Sequence, residues 1–261
     1  MKVISASRRI DLLDCFPEEF INILKNKCHP EEVHTLVIWT KNCNNLLNLS
    51  SVNEWLKNYR QIYIHYTITG MGGSVLEPGI PGEDVLLDRL DEVIEFVQKP
   101  ERIALRFDPI VHLYLPNGKI YSNLYKFEKI TKKASYAGIK TIKFSWMQEY
   151  PKVIKRLAEN KIYPVLISKE KKMKELKKMK EISSFYKVKL EGCCTEETEI
   201  SRCIDGFLFN KLHPDGEICS TKKAKGQRKL CGCTESWDIG WYFTCPNGCL
   251  YCYANPAKRK L

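Results

Sequence analysis

Ile103-Ala-Leu-Arg-Phe-Asp-Pro-Ile110 starts apolar and then alternates, with Arg106 and Asp108 on one side and Phe107 on the other. Side chains along a strand point to opposite faces in turn, so Arg106 and Asp108 share a side. Pro109 has no donor for a ladder and is expected to end the pairing there. Similar β-rich runs occur at 3–6, 35–40, 62–69, 141–145, 163–168 and 188–191, alongside this one at 103–108. Helical patterns fall between them at 17–27, 52–58, 83–97, 123–137, 150–159 and 169–184. Pro17 followed by Glu18 and Glu19 opens the first, since proline fits the first turn and acids favour its positive end. Alternating strands and helices argue for an α/β fold with a parallel sheet. The segment 237–244 supplies an eighth strand, expected to pair in parallel with residues 2–7 and close the fold. Eight such units in 261 residues suit one (β/α)8 TIM-like barrel, a fold of about 250 residues. The expected domain is 1–261, with a cysteine-rich portion at 193–252.

In such a barrel the residues at the carboxyl ends of the strands face the active site. Those ends carry Ser5, Ser7, Arg8 and Arg9, then Thr40, Lys41 and Asn42, then Thr67 and Thr69. Arg106 and Asp108, Ser145, Ser168 and Glu191 complete the ring. Any one of them could cap a helix or satisfy a loop. Their recurrence at every strand end is the signal.

The 12 cysteines point to metal or redox chemistry before a disulfide framework in a cytosolic chain. Cytoplasmic location is the expectation, because the start MKVISASRRIDLLD has no apolar signal core and no run of about 18 apolar residues exists. No membrane association is expected. The net charge of +11, from 42 basic and 31 acidic residues, admits an anionic partner. Segment 169–180 is rich in lysine, but Met173, Leu176, Met179 and Ile182 form a stripe at spacings of three. That is the pattern of a solvated helix before that of a nucleic-acid groove. The five histidines show no paired metal spacing. A Gly-rich phosphate loop is also missing.

Cys245-Pro-Asn-Gly-Cys249-Leu-Tyr-Cys252-Tyr-Ala-Asn255 carries three cysteines at C-x3-C-x2-C spacing. Gly248 lets the loop turn tightly. Three thiolates suit a four-iron cluster with one open iron, whereas a zinc site would normally draw a fourth ligand. Cys193, Cys203, Cys231 and Cys233 make a second group of four, a full set for another 4Fe-4S cluster or for zinc. Such a metal would pin segment 194–236, which has little apolar periodicity of its own. Cys193 and Cys194 are adjacent, and spacing does not separate them. Cys15, Cys28, Cys43, Cys194 and Cys219 are read as spare. Seven ligating thiolates around two four-iron cores would lower the net charge by roughly three units.

SASRR at 5–9, WTKN at 39–42, TITG at 67–70, RFDPI at 106–110, CIDG at 203–206 and the terminal CGC and CPNGCLYCYAN motifs resemble a bacterial domain-of-unknown-function family. That family's cysteine tail is similar to the radical S-adenosylmethionine (SAM) cluster motif. More distantly, Thr40-Lys-Asn42, Thr67-Ile-Thr69, Leu76-Glu-Pro-Gly-Ile-Pro81 and Arg106-Phe-Asp-Pro-Ile110 resemble, in order, motifs of the spore photoproduct lyase group of radical SAM proteins. There the cysteine loop comes first, whereas here it comes last. A circular permutation accounts for this, because a closed barrel has no privileged first strand.

The resemblance implies an enzyme in which Cys245, Cys249 and Cys252 hold a 4Fe-4S cluster that binds SAM. It implies that Thr67, Thr69, Arg106 and Asp108 line the SAM pocket and that Arg8, Arg9 and Lys41 face an anionic substrate. An electron donor such as ferredoxin or flavodoxin would serve it. The resemblance also favours Cys193 over Cys194 as the ligand. A nucleic-acid substrate follows only by analogy with photoproduct repair. The alternative from another class is a non-catalytic iron–sulfur or zinc protein serving electron transfer or nucleic-acid binding.

Overall fold

The computed structural model describes residues 1–242 and 244–257. Among the described residues ten strands run in chain order: β1 Lys2–Ala6, β2 Val33–Thr40, β3 Ile62–Thr67, β4 Ile103–Ile110, β5 His112–Tyr114, β6 Ile120–Ser122, β7 Thr141–Trp146, β8 Tyr163–Pro164, β9 Lys189–Gly192 and β10 Trp237–Asp238. Seven of them form one sheet in the order β10-β1-β2-β3-β4-β7-β9, with every neighbouring pair parallel. The mixed α/β class and the parallel sheet are therefore as the alternating runs indicated. The helices are α1 Leu12–Cys15, α2 Pro17–Lys27, α3 Asn44–Asn48, α4 Ser50–Leu56, α5 Glu83–Asp88, α6 Leu90–Val97, α7 Phe127–Tyr136, α8 Pro151–Glu159, α9 Lys169–Phe185 and α10 Gly206–Leu212. Among the described residues no helix is long and apolar enough to cross a membrane.

The two faces of the sheet are buried by different means. Ile4, Leu36, Ile38, Ile64, Tyr66, Leu105, Phe107, Ile142 and Phe144 join one apolar core with helix residues such as Phe20, Leu24, Val93, Phe127, Leu157 and Leu176. The alternate residues Val3, Val37, Tyr63 and Ala104 pack instead against Ile204, Phe209, Cys219, Cys231 and Cys233. A polar row lies in register on this second face: Thr67 beside Arg106, Arg106 beside Lys143 and Lys143 beside Glu191. Arg106 and Lys143 are buried. The cysteine-rich segment is thus the cover of a polar sheet face, and the row beneath it needs partners from that cover.

Four expectations change in detail. Run 163–168 was expected as a sixth sheet strand, but only Tyr163–Pro164 is extended, and it pairs antiparallel with β5 in a separate three-stranded sheet. Pro164 cannot donate to a ladder, and Leu166 is 88% exposed, so the run gains little from the core beyond the partly buried Ile167. Consequently β7 pairs directly with β9. Pro109 does not end β4, because the register breaks between Phe107 and Ile110 and pairing resumes at Ile110 with Trp146. The eighth strand does pair in parallel with β1, but only through Ile4 with Trp237 and Ser5 with Asp238. Phe243, within the expected 237–244, lies outside the described residues. On α9, Leu176 and Met179 are buried while Met173 faces solvent.

His34 on β2 stacks on His213 beyond α10, with ring centroids 4.4 Å apart, and this stack ties the cover to the sheet. His34 shares a hydrogen bond with Thr35 Oγ1 and another with the Glu217 carbonyl. Arg102, Asp215 and Glu217 also act on His213. Burial lowers both histidines below the usual 6.5, and the His34 charge further opposes a charge on His213. The folded chain therefore binds fewer protons than the unfolded one. Their stabilisation is complete above pH 6.5 and is lost as pH falls below it, by up to about 1.4 kcal/mol per histidine per pH unit. Urea unfolding between neutral and mildly acid pH should show this slope, flattened in a His34→Gln, His213→Gln variant. An unchanged slope would remove the pair from the acid response.

Candidate functional site

Glu77 organises the carboxyl ends of β2 and β3. It is 1% exposed and accepts from Lys41 Nζ at 2.8 Å, from Thr69 Oγ1 at 2.7 Å and from the Tyr251 hydroxyl. Lys41 follows β2, Thr69 follows β3 and Tyr251 belongs to the terminal cysteine loop, so one carboxylate joins three distant parts of the chain. Lys41 also lies over the Tyr251 ring, 5.6 Å from its centroid. Burial works against the Lys41 charge, but Glu77, Cys249 and Asp108 around it hold its pKa above the usual value.

The terminal loop docks on this rim through its backbone. Leu250 N–H donates to the Leu76 carbonyl at 3.0 Å, and Gly79 N–H donates to the Asn247 carbonyl at 3.1 Å. Arg156 donates to the Leu250 and Cys252 carbonyls, both at 2.8 Å. Gly248 adopts φ of 67°, the left-handed turn that glycine takes without strain. Cys249 and Cys252 are raised by burial. Cys245 is held down to about 7, chiefly by a hydrogen bond from Cys15, with Asn247 and Asp11 backbone amides adding to it. The Cys15 and Cys245 sulfurs are 3.8 Å apart.

The second cysteine group gathers under the polar row. Cys203 Sγ lies 3.6 Å from Cys193 Sγ and accepts from Arg106 Nη1 at 3.1 Å. Cys233 Sγ accepts from the backbone N–H of Cys203 at 3.3 Å and of Ile204 at 3.4 Å. Cys231 is pushed down to about 6 by its hydrogen bond with Cys233. Hydrogen bonds from Cys193 and Cys233 put Cys203 well below the ordinary thiol range, with Arg106 and Lys143 helping. Cys193, rather than Cys194, makes the direct sulfur contact with Cys203. Gly232 is required between Cys231 and Cys233, since a Cβ there would stand 2.8 Å from the Ser201 carbonyl oxygen.

The charged strand ends lie around these two groups. Arg106 pairs with Asp108, which also accepts from the Ser145 hydroxyl. The Arg106 guanidinium sits 5.1 Å from the Trp39 ring centroid, and the Arg8 guanidinium 5.9 Å. Arg8 further donates to Gln227 and Ser236. Arg9 donates to the Gly240 carbonyl and faces the Tyr242 ring. Asp238 on β10 fixes this corner by accepting from Ser5, Ser7 and the Arg8 backbone. Tyr253, next to Cys252, donates to the Arg8 carbonyl and senses Cys252, Asp108 and Arg106.

The site residues read from sequence thus fall into three associations. Lys41 and Thr69 stand with Cys245, Cys249 and Cys252 through Glu77. Arg106 and Asp108 stand with Cys193, Cys203, Cys231 and Cys233, with Thr67 beside Arg106 in register. Arg8 and Arg9 hold the β1–β10 corner. Glu77, Asp238 and Cys15 were missed as site residues. Glu77 lay inside the quoted Leu-Glu-Pro motif, and Asp238 inside the expected eighth strand. Nothing in spacing marked Cys15.

Among the described residues no three His, Cys, Asp or Glu side chains close around one metal position. The donor chemistry nevertheless fits thiolate-bound metal. Cys203 and Cys233 receive N–H donors from Arg106, Cys203 and Ile204, and Cys252 receives one from Ala254 at 3.3 Å. Such N–H···S bonds are what ligating sulfurs take from their surroundings.

No curated protein and no solved structure matches this chain. Residues 21–254 match the domain of unknown function DUF1848. With most of its length inside that match, the chain belongs to the DUF1848 family.

Proposed function

We propose that this chain is a radical SAM-like iron–sulfur enzyme. In this reading Cys245, Cys249 and Cys252 hold a 4Fe-4S cluster with SAM, and Cys193, Cys203, Cys231 and Cys233 hold a second cluster or zinc. One observation carries the reading: both cysteine groups border the same charged strand ends, joined by Arg106, Asp108, Lys41 and Tyr253. When bound there, the cluster and SAM would supply one-electron reductive cleavage to a 5′-deoxyadenosyl radical. The protein's own part is to orient and to exclude water. Thr67, Arg106 and Asp108 line the cofactor side, and Thr69 braces it through Glu77. Arg8, Arg9 and Lys41 present cations to an anionic substrate, with nucleic acid one form of it. A barrel permuted so that its last strand adjoins its first would put both groups at one mouth, and the parallel β1–β10 pair supports that arrangement. A cytoplasmic ferredoxin or flavodoxin would be the electron donor.

A second reading is a zinc or iron–sulfur protein without SAM chemistry. The 3.6 Å Cys193–Cys203 separation favours it. Zinc at about 2.3 Å from each thiolate sets tetrahedral sulfurs about 3.8 Å apart. A four-iron cube puts each thiolate on its own iron and so spreads them further. Anaerobic reconstitution separates the readings. The proposal expects about eight irons per chain and release of 5′-deoxyadenosine from SAM under reduction. Stoichiometric zinc without iron, or iron without SAM cleavage, overturns it.

A further inference from the structure

We infer that the cleft over the Cys231-Gly232-Cys233 turn is the docking surface for an acidic protein, the one-electron donor of the reading above. The donor's role rests on that iron–sulfur reading, whereas the docking surface does not. The cleft is lined by Ile200, Arg202, Phe207, Thr221, Lys223 and Gly232. Its floor is the cysteine turn itself: a Cβ at Gly232 would stand 2.8 Å from Ile200 Cγ2 and 3.3 Å from Arg202 Cγ. At about 360 Å³ it lies at the low end of pockets that bury a whole small molecule. It suits single side chains inserted by a partner.

The surface pairs an apolar centre with cations. Ile200 and Phe207 are each 56% exposed, and the Arg202 guanidinium lies 5.1 Å from the Phe207 ring centroid. Lys223 is held in place because its neighbours pair with the turn's exit. Ala224 N–H donates to the Cys233 carbonyl and Glu235 N–H to the Lys222 carbonyl, both at 2.9 Å. Lys222, Lys225 and Lys229 of the same segment are exposed too. The acids nearby are engaged elsewhere: Glu199 and Asp205 act on Lys189, and Glu235 accepts from Ser220. Among the described residues Arg202 and Lys223 have no ion-pair partner. Unpaired cations beside exposed apolar side chains are complementary to a partner whose acids ring an apolar patch. Ile200 neither stacks on a base nor pairs with a phosphate, which favours a protein over nucleic acid. One electron would leave the partner's reduced flavin or iron–sulfur centre, oxidising it by one. It would enter the centre held by Cys193, Cys203, Cys231 and Cys233 beneath the cleft.

Binding is measured first, without turnover. Purified oxidised flavodoxin and oxidised ferredoxin are titrated calorimetrically into the iron-reconstituted chain at low ionic strength. At least one should bind, with an affinity that falls as salt is added. Arg202→Glu with Lys223→Glu should weaken binding at least about tenfold, the equivalent of about 1.4 kcal/mol, and Phe207→Ala should weaken it as well. Lys174→Glu with Lys177→Glu makes the same charge change on the exposed face of α9 and should leave binding unchanged. Equal weakening by the α9 pair would mean attraction without a site and overturns the inference, as does binding of neither protein. An oligonucleotide that binds in their place, and is lost with Arg202→Glu and Lys223→Glu, assigns the face to nucleic acid instead. The electron role has its own readout. Flavodoxin-driven release of 5′-deoxyadenosine should fall in the Arg202→Glu, Lys223→Glu chain while dithionite-driven release holds at the wild-type level. No release with dithionite in the wild-type chain sinks the enzyme reading, and the binding titration still decides the docking surface.

Discussion

If both cysteine groups hold the proposed clusters, replacing Cys245, Cys249 and Cys252 together by alanine should remove half of the reconstituted iron, about four atoms of eight, and leave a folded chain. The fold survives because the loop is fastened by groups the substitution does not touch. These are Leu250 N–H on Leu76, Arg156 on two loop carbonyls, and Tyr251 on Glu77. The seven-stranded sheet and both buried faces lie elsewhere. The second group should keep whatever metal it holds, because Cys193, Cys203, Cys231 and Cys233 bond among themselves and to Arg106. Iron analysis with far-ultraviolet circular dichroism decides the matter. Unchanged iron would remove the terminal cysteines from metal binding, and loss of all iron in a folded chain would make the two groups one site.

Glu77→Ala should destabilise the protein by about 3–5 kcal/mol, the usual result of stripping one partner from a buried ion pair. Glu77 is 1% exposed, and the Lys41 side chain is 19% exposed. Without the carboxylate the Lys41 ammonium loses its 2.8 Å partner, and Thr69 and Tyr251 lose their acceptor. Glu77→Gln keeps the shape and an acceptor for Thr69 but not the charge, so its loss should be smaller. Urea titration of both variants measures the difference. A Glu77→Ala stability within about 1 kcal/mol of wild type, the range of ordinary surface changes, would mean that Lys41 finds water instead.

Sheet strands were legible wherever periodicity and burial agreed. Six of the seven early runs became strands of the large sheet, because their β-branched and aromatic residues are buried on two faces. The run at 163–168 had the same composition, but Tyr163 and Leu166 stay exposed, only Ile167 packs against the core, and proline blocked a ladder hydrogen bond. Charged strand ends were legible for the same reason that strands were: alternation fixes which side chains share a face. What alternation cannot fix is the partner. Arg106 could be assigned to the strand end but not to Cys203, whose sulfur is 97 residues away in sequence.

The amino-acid order by itself determined the α/β class, the parallel pairing of 237–238 with β1, the two cysteine groups and the row of polar strand ends. All but the β1 pairing follow from local spacing, where a period of two or a short cysteine interval sets geometry within a few residues; the pairing was expected from a barrel whose last strand adjoins its first. Only the tertiary structure decided that segment 203–233 covers the second sheet face, and that Glu77 is the acid joining Lys41, Thr69 and Tyr251. It alone brought Cys15 to Cys245 across 230 residues. These are meetings of chain segments with no local period in common. They are chosen by which buried charges and thiols must find partners once water is excluded.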